Sequence, residues 1–251
     1  MEILTAAANP FRGMVITTEA LPASAAQFQT LLNNSLTLWR SEGYRVAWLQ
    51  LPRSKAALVP IAVEAGFVFH HSSDGSHHDD NNYVMLICRL EEGAFVPAYA
   101  SHYIGVGGVV LNNLQELLVV SEQHRRDKSR PFYKLPGGAL HAGEHIVDGV
   151  IREVLEETGV QAKFESVACF RHWHGYRYGK SDIYIVCRLS ALSLEISKQD
   201  DEIEECRWMA IEEYLHSDAV AEFNKRIVQA ALENSGISPT SIEGYADPEK
   251  R

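Results

Sequence analysis

The sequence predicts an α/β (α+β) protein in two parts. A small α/β domain is read over residues 1–97, a larger domain of strands and helices over 98–235, and an exposed tail over 236–251. Three observations carry that prediction. A length of 251 residues suits one large domain or two small ones. Short β-rich apolar runs alternate with stretches of helical periodicity in both halves. The two halves separate near residues 91–101.

In the first half, residues 14–18 (MVITT) read as a strand. Residues 22–42 place Ala26, Phe28, Leu31, Leu32, Leu36 and Trp39 at helical spacing, and Gly43 stops that helix. Residues 44–51 (YRVAWLQL) read as a buried strand. Ser54 is the expected cap of a second helix running to about Ala65, with Gly66 at its end. Residues 67–71 and 83–90 complete the half as strands. The loop between them, HHSSDGSHHDDNN, carries four histidines and three aspartates. It reads as a solvated hairpin connection rather than a metal site, because nothing there fixes ligand geometry.

In the second half, residues 102–111 and 115–121 read as strands joined by an Asn112-Asn113 turn. A basic loop with Arg125, Arg126, Lys128 and Arg130 follows, then KLPGG at 134–138 and a long helix. Strands are expected at 162–173 and 182–190, and a closing helix near 218–234.

Bulk properties narrow the function. A formal net charge of −10 argues against a diffuse grip on nucleic-acid backbone or anionic lipid, both of which need a basic face. The four cysteines, Cys88, Cys169, Cys187 and Cys206, form no CxxC pair, and three lie in apolar strand-like runs where a thiol packs as a small hydrophobe. With no secretory pattern at the N-terminus and no run of about 18 apolar residues, the expectation is a cytoplasmic protein with no membrane partner.

The chemistry concentrates after Gly138. From there the chain reads G-ALHAG-E-HIVDGVI-R-E-V-L-E-E-T-G-V, in which Gly138, Glu144, Arg152, Glu153, Val154, Glu156, Glu157, Gly159 and Val160 hold fixed spacings. Over 145–158 the apolar positions Val147, Val150, Ile151, Val154 and Leu155 mark a helix with one apolar stripe. Glu153, Glu156 and Glu157 stand at i, i+3 and i+4, so their carboxylates are expected to converge on one flank. Lysines do not interleave them, and Arg152 alone offers local compensation. A divalent cation, Mg²⁺ or Mn²⁺, is the natural counter-charge for such a cluster. The glycines of LPGG let backbone approach a metal or phosphate closely.

This pattern resembles the Nudix box, G-x5-E-x7-R-E-U-x-E-E-x-G-U with U aliphatic, at every specified position. The likeness to the Nudix superfamily covers about residues 100–235. LWRSEGYRVAWLQLP at 38–52, EAGFVFHH at 64–71, KLPGGALHAGE at 134–144, KSDIYIVCRL at 180–189 and DEIEECRWMAIEEYL at 201–215 extend it to plant ADP-ribose/NADH-type Nudix hydrolases and a human antisense fibroblast-growth-factor Nudix protein. The resemblance implies a Nudix α/β/α sandwich with a mixed sheet, preceded by a small acetyltransferase-like α/β domain. It implies Glu156 and Glu157 as metal ligands, Glu153 as ligand or general base, and the Gly137 carbonyl as a further ligand. Arg152 and Glu144 would orient the glutamates, with Gly138 and Gly159 as structural members of the box. Glu202 is the candidate for a further acid from a later loop, with Glu205 second, each weighed against an ordinary exposed acid. Arg171, Trp173 and Tyr176 belong to an aromatic, basic cluster that either binds substrate or packs a hairpin.

Substrate markers are mostly missing. The array SQPWPFPxS is absent, His174 stands where ADP-ribose enzymes place a proline, and LLVVSEQHRRDKSR only faintly echoes a coenzyme A signature. The leading expectation is hydrolysis of a small nucleotide, a nucleoside diphosphate linked to a second group of the ADP-ribose or NADH type. The alternatives are a nucleoside triphosphate or capped-RNA hydrolase and a non-catalytic nucleotide-sensing module. A homodimer stays open, as does a first domain that regulates activity or mediates association.

Overall fold

The computed structural model describes residues 1–73, 82–125 and 128–240, and divides into two compact units, Met1–Ala100 and Ser101–Arg251. The first unit is a five-stranded mixed sheet with two helices. Its elements are β1 (Ala7–Ala8), β2 (Gly13–Ile16), α1 (Ala25–Ser41), β3 (Val46–Pro52), α2 (Val59–Glu64), β4 (Val68–Ser73) and β5 (Tyr83–Arg89), in sheet order β1-β2-β3-β5-β4. Only β2 and β3 run parallel. Ser24 caps α1 by accepting from the Gln27 amide, and Phe28, Leu32, Leu36 and Trp39 bury one face of that helix against Leu49, Leu51 and Leu86. The helix expected from Ser54 begins later. Residues 53–58 form 3₁₀ turns broken at Lys55, and α2 starts at Val59 with Pro60 in its first turn, where a missing N–H costs nothing. Ser54 therefore caps no helix. Of the histidine-rich loop, residues 74–81 lie outside the described residues.

The second unit is a seven-stranded mixed sheet between helices. It comprises β6 (His102–Leu111), β7 (Glu116–Glu122), β8 (Tyr133–Lys134), β9 (Gly137–Ala139), α3 (Ile146–Thr158), β10 (Ala162–Trp173), β11 (Ser181–Ala191), β12 (Ile203–Ala210), α4 (Ile211–His216) and α5 (Glu222–Glu233). The strand order is β10-β11-β6-β7-β12, with short β8 on β7 and β9 on β6, and β11 pairs β6 in parallel. Alternation along the strands feeds two cores. Val106, Val110 and Leu118 face Val150 and Val154 of α3, while Val109, Leu117 and Val119 face Tyr214, Ile227 and Val228 of α4 and α5. The expected α/β/α sandwich is what forms. Arg188 of β11 anchors α5 by donating to the carbonyls of Ala231 and Asn234, two acceptors left free at the helix C-terminus.

Several details differ from expectation. Strands β8 and β9, split by Pro136, and helix α4 go beyond the sequence reading. Leu155 is half exposed, and the inward positions of α3 are Val150, Val154, Glu157 and Thr158. The segment after residue 235 is not free throughout, because Ile237 exchanges two backbone hydrogen bonds of 2.8 and 2.9 Å with Val167 of β10. Among the described residues no helix is long and apolar enough to cross a membrane.

Candidate functional site

The turn from β9 into α3 assembles the box residues. Gly137 adopts φ +150°, and a Cβ there would run into the Val106 carbonyl, so the close β9–β6 approach requires glycine. Gly159 ends α3 in the left-handed conformation with its amide donating to the Leu155 carbonyl. Beside Gly138 the Glu153 carboxylate lies so near that a Cβ would sit 2.6 Å from its oxygens.

Arg152 organises the acids. Its Nε and Nη2 grip Glu144 at 2.7 and 2.9 Å, and its Nη1 donates to Glu153 and Glu156, both at 2.9 Å. These bonds from Arg152 hold the Glu144 carboxyl at about 2, helped by the His141 amide. The same carboxylates push the Arg152 guanidinium above its ordinary range, the bond to Glu144 most of all.

Glu157 behaves differently. It is only 5% exposed, and its Oε2 accepts from the Gly137 amide at 2.9 Å. Burial pushes its pKa up to about 7, although Lys134 Nζ stands 3.8 Å away and the Gly137 amide also favours the anion. Lys134 is held at 2.6 Å by Glu122. Burial would lower the ammonium, but Glu157 and Glu122 prevail and raise it. Glu122, His124, Glu157 and Glu202 line a recess of about 230 Å³.

The three box glutamates thus do not converge as the i, i+3, i+4 spacing implies. Arg152 draws Glu156 outward, where its side chain is 53% exposed, and Glu157 turns in toward Gly137. Among the described residues no three His, Cys, Asp or Glu side chains already stand in a metal-holding arrangement. It is the Gly137 amide, rather than its carbonyl, that meets Glu157. Of the two later acids, Glu202 reaches the Glu157 recess, whereas Glu205 accepts from the Tyr133 hydroxyl at 2.8 Å and is engaged there.

A cavity of about 300 Å³ opens beside Gly137 and Lys134. Arg125, Phe132, Arg171 and Phe223 line it as well. Arg171 is ion-paired with buried Asp182, and its guanidinium lies 5.0 Å from the Phe223 ring centre and 5.2 Å from that of Trp173. Of the three aromatic or basic candidates only Arg171 lines this cavity. Trp173 supports it from outside, and Tyr176 packs edge-on against Tyr103. Glu122, Lys134, Phe132 and Phe223 escaped the sequence reading. Lys134 alone carried a local signal, as the residue opening the KLPGG turn.

Comparison with known proteins agrees with the box. A Nudix hydrolase domain family matches residues 4–90, and the NUDIX domain family matches residues 101–231. Nudix hydrolase 2 of Arabidopsis thaliana is 40% identical over 212 residues, covering 84% of this chain and 74% of its own length. Nudix hydrolase 8 of the same plant is 37% identical, over 98% of this chain and 67% of its own. The human nucleoside diphosphate-linked moiety X motif 6 is 35% identical, over 83% and 64%. Among solved structures, a NUDIX hydrolase from Nitrosomonas europaea aligns at a TM-score of 0.49 and 22% identity, over 58% of this chain and 98% of its own. An intact box on its helix, and relatives this similar over most of both chains, have one reading: the chain belongs to the Nudix hydrolase family.

Proposed function

We propose that this Nudix hydrolase cleaves the pyrophosphate bond of a nucleoside diphosphate joined to a second group, of the ADP-ribose or NADH class, with Mg²⁺ or Mn²⁺ as its metal. The observation that carries the reading is a buried carboxylate, Glu157, set under the Gly137–Gly138 turn beside a cavity that offers both cations and aromatic faces. The human relative's name, nucleoside diphosphate-linked moiety X motif, agrees with that substrate class.

The donor set fits a hard divalent ion. Glu157 is a carboxylate whose burial raises its pKa to about 7 in spite of nearby Lys134, and Gly138 leaves the Glu153 carboxylate room that a side chain would fill. Glu153, Glu156 and Glu157, with the Gly137 carbonyl, would hold the metal, and Arg152 would release Glu156 to it. When bound, a divalent ion neutralises the pyrophosphate and lowers the pKa of a coordinated water.

The remaining work falls to side chains. Lys134, Arg125 and Arg171 offer positive charge to the phosphates at the cavity wall. Phe132 and Phe223 provide faces for a base or nicotinamide ring. Glu144 fixes Arg152, and Arg152 holds Glu153 in place, so that Glu153 or Glu202 takes the proton from the attacking water. We place the protein in the cytoplasm, with a small nucleotide as partner.

A hydrolysis screen over ADP-ribose, NADH, NAD, FAD, coenzyme A and nucleoside triphosphates, run with Mg²⁺ or Mn²⁺ on wild type and Glu157→Gln, tests the proposal. Release of AMP from ADP-ribose or NADH, lost in the variant, is the expected result. Turnover confined to triphosphates would move the substrate class, and nucleotide binding without any turnover would leave a sensing module.

A further inference from the structure

Away from the box, three histidines gather where β6 begins and β10 ends. His102 Nε2 lies 2.9 Å from His172 Nε2, and their rings are 5.0 Å apart between centres. The His174 ring is 4.3 Å from that of His172. His172 and His174 are exposed and His102 is half buried, so no apolar core drives these rings together.

The outer ring nitrogens explain how the inner ones are presented. Ser101 Oγ stands 2.8 Å from His102 Nδ1, and Ser181 Oγ stands 2.9 Å from His174 Nδ1. With each Nδ1–H donating to its serine oxygen, the tautomer leaves Nε2 of both rings as a bare lone pair. This is how ligating imidazoles are oriented at metal sites, where the second ring nitrogen is tied to a neighbouring oxygen. The two serines are themselves tied, since the Ser181 amide donates to the Ser101 carbonyl at 3.0 Å. In that tautomer His102 Nε2 accepts and His172 Nε2 donates in the metal-free pair. Imidazole nitrogens about 2.0–2.1 Å from one tetrahedral ion lie roughly 3.3 Å apart, a few tenths of an ångström wider than the spacing already present.

We propose that His102 and His172, completed by His174 and water, form a second metal site, selective for a borderline transition-metal ion of the zinc class over magnesium. Imidazole favours Zn²⁺, Ni²⁺ or Cu²⁺, whereas the acidic box favours hard ions. Metal takes the place of the proton between the two Nε2 atoms, and His172 adopts the other tautomer. The rings do not yet hold three-ligand geometry in the metal-free chain. His174, whose ring centre is 4.3 Å from that of His172, would complete it by bringing its Nε2 toward the ion. The bound ion would tie the start of β6 to the hairpin that follows Trp173, the residue that backs Arg171 at the cavity. None of this depends on the hydrolase substrate.

Calorimetric titration of the untagged full chain with Zn²⁺, in millimolar Mg²⁺ to fill the acidic box, tests the site. One zinc equivalent is expected in wild type and in Glu157→Gln. His172→Ala should weaken it by about 10-fold or more, and His102→Gln and His174→Ala should each weaken it too. Far-UV circular dichroism and melting temperature check that the variants stay folded, with His172→Gln as the milder substitute. Zinc binding that all the histidine variants retain, or that excess Mg²⁺ removes, would overturn the assignment.

Discussion

Replacing Glu157 by glutamine should make the metal-free protein more stable while removing its activity. The carboxyl is buried and titrates near 7 instead of the ordinary 4.5. A group whose folded pKa is raised favours the fold in its protonated form. Its contribution is whole below about pH 4.5 and is lost as pH rises through 7. The shift of some 2.5 units corresponds to about 3 kcal/mol at pH 8.5, and to about 1 kcal/mol at pH 5, where the unfolded chain is already largely ionised. Glutamine mimics the protonated acid and keeps an oxygen for the Gly137 amide. In EDTA, Glu157→Gln should therefore raise Tm at pH 8.5 by roughly 5–10 °C, with most of that gain gone at pH 5. Urea unfolding and calorimetry at both pH values, beside an assay for AMP release, make the measurement. A variant no more stable than wild type at pH 8.5, or a gap equal at the two pH values, would refute the argument that burial of this charge strains the metal-free fold.

Arg152→Ala leaves Glu144 and Glu153 without their shared cation, and should lower kcat/KM by about 100-fold while costing about 2 kcal/mol in urea unfolding. Arg152→Lys should not restore activity, because one ammonium cannot reproduce the forked grip on Glu144 together with the bonds to Glu153 and Glu156. Phe223→Ala removes an aromatic wall of the cavity, and steady-state kinetics should show KM raised about 10-fold with kcat little changed. Gly137→Ala should destabilise by more than about 2 kcal/mol, since its Cβ meets the Val106 carbonyl. Gly143→Ala, at φ +80° in open space, should cost only about 1 kcal/mol and keep activity. Thermal unfolding separates these two glycine variants.

Much of this architecture can be read from spacing alone. Phe28, Leu32, Leu36 and Trp39 announce α1, and the box announces α3 with both glycines that bound it. What spacing misled about is the box acids. Glu157 stands at i+7 from Val150 and i+3 from Val154, which places it on the apolar stripe. The i, i+3, i+4 pattern instead groups it with two flank carboxylates and assigns Leu155 to the apolar stripe, whereas Glu157 is the buried one of the two. The cavity wall was illegible for a different reason. Glu122 and Phe132 flank a basic loop and Phe223 lies in the first turn of a helix, so only the packed sheet brings them to Arg171, the one wall residue of the aromatic, basic cluster. Strands β8 and β9 are too short for any periodicity to show.

The pairing of Ile237 with Val167 bears on where this chain can be cut. Strand β10 is the outermost strand of its sheet, so one row of its peptide groups faces away from β11. A bare outer strand is a template on which a second molecule can add. The short stretch around Ile237 occupies part of that row like a cover strip. A chain stopped at residue 235 would strip it away and leave the Val167 amide and carbonyl open to a neighbour, inviting edge-to-edge aggregation, whereas one carried a few residues past Ile237 keeps that edge closed.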